Sequence, residues 1–223
     1  MSEANSMLSD VRRALGRSQT IAPPPLAAFL EPAPGSTDVV SRFIEELRAV
    51  RGHVHQLATD SPMPLIADVI TSVCRETSTT KVAISGSDWL RDFNLVEALT
   101  RGSLEVLIAD DGKTHDQIVA ALAQFHVGVT TAEFAIAETG TIVLSSEEAN
   151  SLLVSLLPPI HVAIVPANRI CGSLDEGIQR LAARPAAPGQ SFSFITGPSR
   201  TSDVELTLSI GVHGPKELHV III

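Results

Sequence analysis

The sequence contains no tyrosine, one tryptophan and seven phenylalanines among 223 residues. Aromatic platforms on which exposed bases could stack are therefore scarce. Positive charge is also in short supply: 16 Lys and Arg stand against 25 Asp and Glu, for a formal net charge of −9. A nucleic-acid partner needs a basic face, and these totals do not supply one. Cysteine occurs only at Cys74 and Cys171, with no CxxC pair, so the thiols are expected to be reduced and buried rather than bridged. Two thiolates cannot furnish the four that an iron–sulfur cluster takes. No apolar run reaches the roughly 18–20 residues that span a bilayer, and the opening MSEANSMLSDVRRALGR lacks the apolar core of a signal peptide. The expectation is a cytoplasmic protein with no integral membrane segment.

What the chain does have is aliphatic bulk. Hydrophobic residues make up 44% of it and mean hydropathy is +0.25, enough to bury a core and to exclude bulk disorder. Residues 7–16 have helical apolar spacing, and the stretch that follows, SQTIAPPPLAAFLEPAPGS, has five prolines and reads as an extended arm. Two parts are expected: a helix and proline-rich arm over residues 1–35, and a folded α/β domain over 36–223. In the second, an apolar stripe from Val39 to Val50 predicts a helix that Ser36 or Thr37 can cap. Short aliphatic strands at 53–58, 81–85, 104–109, 141–144, 160–166, 192–196 and 218–223 alternate with helices over 62–73, 87–102, 114–125 and 173–183. Continuous aliphatic strands separated by helices predict an open, largely parallel sheet with helices on both faces.

In such sheets ligands sit at the carboxyl ends of strands, where loops feed helix N-termini. Three loops qualify. In ISGSDW (84–89), Gly86 permits close backbone approach and Ser87 or Asp88 can cap a helix, leaving free amides for an anion; an ordinary capped turn accounts for it equally well. In GVTTAEFAIAETGTIVL (128–144), Thr130 or Thr131 would cap a short helix with Glu133 completing a capping box. Glu138, Thr139, Gly140 and Thr141 then turn into a strand. Glu133 and Glu138 are candidate acid/base or nucleophilic carboxylates, against the plainer roles of capping and solvated acids. In FITGPSRTSDVELTLSIGVHGP, Gly197 and Pro198 force a turn, and Ser199 and Thr201 would cap a helix starting near Ser202. Arg200 stands beside those amides, suited to carboxylate or phosphate. Asp203 and Glu205 would lie in the first turn of that helix, where they could pair with Arg200 instead. His213 and Gly214 form a second turn, and His213 can serve as an acid or a base near neutral pH.

His53 and His55 share a strand face, but no third ligand is evident beside them, so no metal site is assigned. His115, His126, His161 and His219 follow no spacing pattern. No P-loop, dinucleotide fingerprint, G-x-S-x-G or H-E-x-x-H occurs.

Three stretches together, GVTTAEFAIAETGTIVL, SLLPPIHVAIVP and FITGPSRTSDVELTLSIGVHGPKELHVIII, resemble the LutC/YkgG family of lactate-utilisation proteins built on the LUD domain. The similarity runs from about Ser36 to Ile223, with Ser202 where the family would have alanine. The resemblance implies a fold akin to the NagB/RpiA/CoA-transferase group. It also implies a part in oxidising L-lactate to pyruvate beside two partner proteins that carry the iron–sulfur motifs, with no cofactor in this chain itself. The expected role is a non-redox subunit holding a small anion or a partner; whether it catalyses is left open. The alternative is a stand-alone enzyme of the CoA-transferase or sugar-phosphate-isomerase type, working through a glutamate.

Overall fold

In the computed structural model, residues 9–10, 13–14, 38–57, 62–92, 95–109, 112, 114–148, 150–184, 189–202, 208–210 and 213–223 are described. The chain divides into two units, Met1–Pro34 and Gly35–Ile223. In the first, residues 9–10 and 13–14 are helical and Arg13 pairs with Asp10 at 3.1 Å; the proline-rich arm read from the sequence lies outside the described residues.

The second unit is built on a six-stranded sheet in which every pairing is parallel. Its strands are β1 (His53–Gln56), β2 (Lys81–Ser85), β3 (Glu105–Ala109), β4 (Val127–Thr131), β7 (Ile160–Val165) and β12 (Glu217–Ile222), in the order β1-β12-β7-β4-β2-β3. The central strands β4 and β7 are buried almost throughout, as unbroken aliphatic runs require. One face packs on α2 (Pro62–Glu76), α3 (Asp88–Asp92) and α4 (Leu95–Arg101), with Ile66, Ile70, Leu90 and Leu99 against Ile84, Val129 and Ile164. The opposite face receives Phe43 and Leu47 of α1 (Val39–Ala49) and Ile118 and Leu122 of α5 (His115–Leu122). The amphipathic stripes located this way in the sequence bury themselves on the sheet, which is what holds such helices. Asp38, rather than Ser36 or Thr37, caps α1, accepting from the Val40 amide at 3.0 Å.

Four strands leave this sheet. β5 (Phe134–Ile136), β6 (Thr141–Ser145), β8 (Ile170–Cys171) and β9 (Phe192–Ile195) form a second sheet in the order β8-β5-β6-β9, with β5–β6 and β6–β9 antiparallel. Its inner face joins Phe43 and Leu47. Its outer face packs under α7 (Leu174–Ala182), where Gly177 lets Phe134 and Ile136 approach. Cys74 and Cys171 are unpaired and buried, and burial pushes the Cys74 thiol up to about 11.

Two local expectations fail. Thr130 and Thr131 end strand β4 and cap no helix, because the next residues enter β5: the Glu133 amide donates to Val143 O at 2.8 Å. Where a helix was expected to start near Ser202, β10 (Arg200–Ser202) pairs antiparallel with β11 (Leu208–Ile210), and residues 203–207 lie outside the described residues. The signal was present in the sequence. Val204, Leu206, Leu208 and Ile210 alternate strictly with polar residues, the period of a strand and not of a helix.

The helix α6 (Ser151–Leu156) lies directly on β4. A Cβ at Gly128 would sit 2.0 Å from the Val154 carbonyl oxygen and 3.1 Å from Pro158 Cγ. Backbone oxygen cannot yield as a side chain can, so Gly128→Ala must displace α6. Such overpacking costs about 1–3 kcal/mol, or roughly 2–4 °C of Tm per kcal/mol for a chain of this size. Thermal unfolding should show this loss, and an unchanged Tm would refute the close packing.

Candidate functional site

All six parallel strands end at one edge, but their connections do not all run the same way. From β2 the chain moves outward to β3, then returns past β2 to β4 on the other side. A crevice opens where the direction reverses, between the carboxyl ends of β2 and β4. Ser85 ends β2, and Thr131 ends β4.

One carboxylate bridges these two ends. Glu148 accepts a hydrogen bond from Ser85 Oγ on one oxygen and from Thr131 Oγ1 on the other. Thr131 also reaches Ser87 Oγ at 3.3 Å. The loop carrying Glu148 is fixed on both sides. The Ser151 hydroxyl donates to Ser145 O at 2.6 Å and the Ser151 amide to Glu148 O at 3.1 Å. Asn150, in the left-handed region at φ 56°, donates from Nδ2 to Ala109 O at the end of β3; asparagine tolerates that conformation better than most residues. Burial raises the Glu148 pKa; the two hydroxyls oppose the shift, and the charge of Glu133 adds to it.

Glu148 lies in a cleft of about 160 Å³ walled by Ser87, Trp89, Thr131, Glu133, Glu147 and Arg169, among others. Arg184 binds Glu133 at 2.5 Å and Glu147 at 2.6 Å, while its guanidinium stacks over Phe192. Among the described residues no carboxylate lies within ion-pair distance of Arg169. Arg184 is engaged by two acids, and Arg169, exposed and with no acid in ion-pair distance among the described residues, is open to an incoming anion.

The residues singled out in the sequence divide among several places. Gly86 and Ser87 follow β2 into the crevice, and Ser87 lines the cleft. Glu133 lines it too, held by Arg184. Glu138 does not: its carboxylate accepts from the Leu174 amide at 2.8 Å, at the start of α7. Thr139 and Thr141 share a hydrogen bond of 2.7 Å, and Thr141 another of 2.6 Å with Thr196. Gly140, at φ 61°, brings that turn onto α1, where a Cβ would sit 2.4 Å from the Leu47 nitrogen. These three belong to packing between the second sheet and α1.

The closing loops meet in a separate cavity of about 490 Å³ lined by Gly197, Ser199, Arg200, His213 and Gly214. The Ser199 amide donates to Pro215 O at 2.8 Å, tying one loop to the other. Glycine is required at 197 both by its φ of 83° and because a Cβ there would lie 2.8 Å from Val50 O. Pro198 follows in the same turn, and Thr201 is in β10, so neither it nor Ser199 caps a helix. Arg200 donates to Val50 O instead of facing helix amides. Asp203 and Glu205 lie outside the described residues. This cavity is larger than the Glu148 cleft, but its arginine is already engaged by the backbone and Phe194 and Leu156 are exposed beside it. The cleft holds Glu148, a half-buried carboxyl whose pKa burial raises, and is the stronger candidate site of the two.

Glu148 was missed in the sequence. Its signal was SSEEAN (145–150), an acid pair in a short polar turn between a buried strand and the apolar helix SLLVSL.

An open parallel sheet with a carboxylate-bearing cleft at its switch point defines the class: an open α/β domain. The LUD domain model matches residues 40–223, and the chain belongs to that family. It is 30% identical over 184 residues to lactate utilization protein C of Halalkalibacterium halodurans, covering 81% of this chain and 76% of that protein. It is 26% identical to lactate utilization protein C of Anoxybacillus flavithermus, covering 82% and 81%. The crystal structure of a DUF162 family protein from Deinococcus radiodurans superposes with a TM-score of 0.56 at 20% identity, covering 82% of this chain and 95% of that one; this likeness concerns the fold. No helix among the described residues is long and apolar enough to cross a membrane.

The raised pKa of Glu148 has a consequence for stability. Because the folded state binds its proton more tightly than the unfolded state, the contribution is full below the unfolded pKa near 4.5 and is lost as pH rises through the folded value. Glu148→Gln keeps the shape without the charge. Its Tm should exceed the wild type's at pH 7, and the gain should vanish toward pH 4. A Glu148→Gln variant less stable at every pH would contradict this.

Proposed function

We propose that this chain acts in lactate utilization by binding a small 2-hydroxy or 2-oxo carboxylate in the Glu148 cleft. The observation that carries this reading is the pairing of two features in one crevice: an arginine with no carboxylate partner among the described residues, and a half-buried carboxyl held between two strand ends. Arg169 offers the fork that suits a carboxylate. Glu148, protonated, donates to the ligand's 2-oxygen; ionised, it accepts from a 2-hydroxyl. Trp89 supplies an apolar wall for a methyl group. The names of the relatives from Halalkalibacterium halodurans and Anoxybacillus flavithermus support the metabolic setting.

The chain's role in that setting is non-redox. Its two cysteines are buried and cannot ligate a four-thiolate cluster, which fits a division of labour in which iron–sulfur partner proteins carry the electrons. A stand-alone glutamate enzyme is the second reading, with Glu148 in place of Glu133 or Glu138 as its reacting group; the raised pKa of Glu148 favours it.

The test is a thermal-shift titration with L-lactate, pyruvate and lactamide. A ligand at a hundredfold excess over its Kd stabilises by about 2.7 kcal/mol. Lactate or pyruvate should raise the midpoint, uncharged lactamide should not, and Arg169→Ala should abolish the shift. Equal shifts for lactamide, or an undiminished response in Arg169→Ala, would overturn the reading.

A further inference from the structure

Parallel pairing brings together, at the opposite end of the sheet, histidines that are far apart in sequence. β1 and β12 are neighbours, with His53 directly across from His219 and His55 from Ile221. Side chains two apart on a strand share a face, so His53 and His55 of β1 lie on the same face as Glu217 and His219 of β12. Each of His53, Glu217 and His219 offers a ligand atom within 4.8 Å of the other two. His219 Nε2 is 3.4 Å from a Glu217 carboxylate oxygen, and the rings of His53 and His219 stack at 4.5 Å.

The geometry points to a binding site for a divalent transition-metal ion formed by His53, Glu217 and His219 at the amino edge of the sheet, with His55 orienting His219. Two imidazoles and one carboxylate are a zinc ligand set that leaves a fourth position open. Harder cations such as calcium and magnesium take six or more oxygens and find one carboxylate here.

The surroundings of His219 favour this reading over chance proximity. His219 Nδ1 and His55 Nε2 share a hydrogen bond of 3.1 Å. A metal on Nε2 requires the proton on Nδ1, and that proton then donates to His55. This is the outer-shell contact that fixes the tautomer and ring direction of metal-bound histidines. Burial holds His219 in place, with 5% of its surface exposed, while His53 is exposed. Zinc–nitrogen bonds of about 2.0–2.1 Å require the three ligand atoms to draw together by about an ångström. The exposed His53 ring supplies that movement by swinging out of its stack. The bound ion then pins β1, the edge strand, to β12.

The experiment uses tag-free protein stripped with EDTA and titrated calorimetrically with ZnCl2, with CaCl2 as comparison. The wild type should bind one equivalent of zinc, with a rise in Tm, and show no calcium binding. His53→Ala removes an exposed ligand and leaves the fold intact; Glu217→Gln removes the carboxylate charge. Each should weaken zinc at least about tenfold, and His55→Ala, which removes only the orienting contact, by about 10–100-fold. Wild-type protein without zinc binding, or zinc binding unchanged in both His53→Ala and Glu217→Gln, would overturn the assignment.

Discussion

The placement of β4 and β3 on opposite sides of β2 governs where this molecule can do chemistry. Because all six strands are parallel, every connection crosses from one edge of the sheet to the other, and right-handed crossovers assign each helix to a face. The step outward to β3 puts α3 and α4 on one face, and the return to β4 puts α5 on the other. The helices of these two connections therefore lie on opposite faces and part at the ends of β2 and β4. The crevice that remains is closed from below by strand ends and bridged by Glu148. Its hydroxyl partners, Ser85 and Thr131, are the last residues of the two strands that diverge there. The carboxylate is therefore tied to the topology rather than to one loop.

The second sheet completes the crevice. β6 delivers the chain to Ser145, and the turn 145–150 carries Glu147 and Glu148 back over the ends of the first sheet before α6 descends on β4. Gly128 sets how closely α6 can approach, and Arg184, just beyond α7, pins Glu133 and Glu147 from outside. Those two salt bridges keep two of the three acids engaged, leaving Glu148 as the one whose charge is set by burial. The two ends of the sheet differ in character: the carboxyl edge presents acids, hydroxyls and an arginine, and the amino edge a cluster of histidines with Glu217 on β1 and β12 and the Lys81–Glu105 ion pair on β2 and β3. Parallel pairing permits this separation, because every strand carries the same polarity.

Five of the six parallel strands, and every helix of the domain but α6, were legible in the sequence because buried strands read as aliphatic runs and amphipathic helices read at period 3.6; β4, with its Gly128 and two threonines, read as a helix start instead. Strand membership was not legible. β5, β6, β8 and β9 look locally like the others, and only pairing over long separations shows that they form a second sheet. The site was half legible. Ser87 and Glu133 were found from loop position, whereas Glu138, at the same distance from a strand end, serves as a helix cap. Glu148 escaped because its importance comes from Ser85 and Thr131, 63 and 17 residues away. His53 and His55 stood out but lacked a third ligand, which β12 provides through register alone.

Ligand chemistry is proposed for the Glu148 cleft and not for the larger cavity beside Arg200 and His213. A crystal structure of the protein soaked with L-lactate tests it most directly. Lactate density is expected between Arg169 and Glu148, with the carboxylate on the guanidinium and the 2-oxygen toward Glu148. Lactate ordered instead against Arg200 and His213, with the Glu148 cleft holding only solvent, would contradict it.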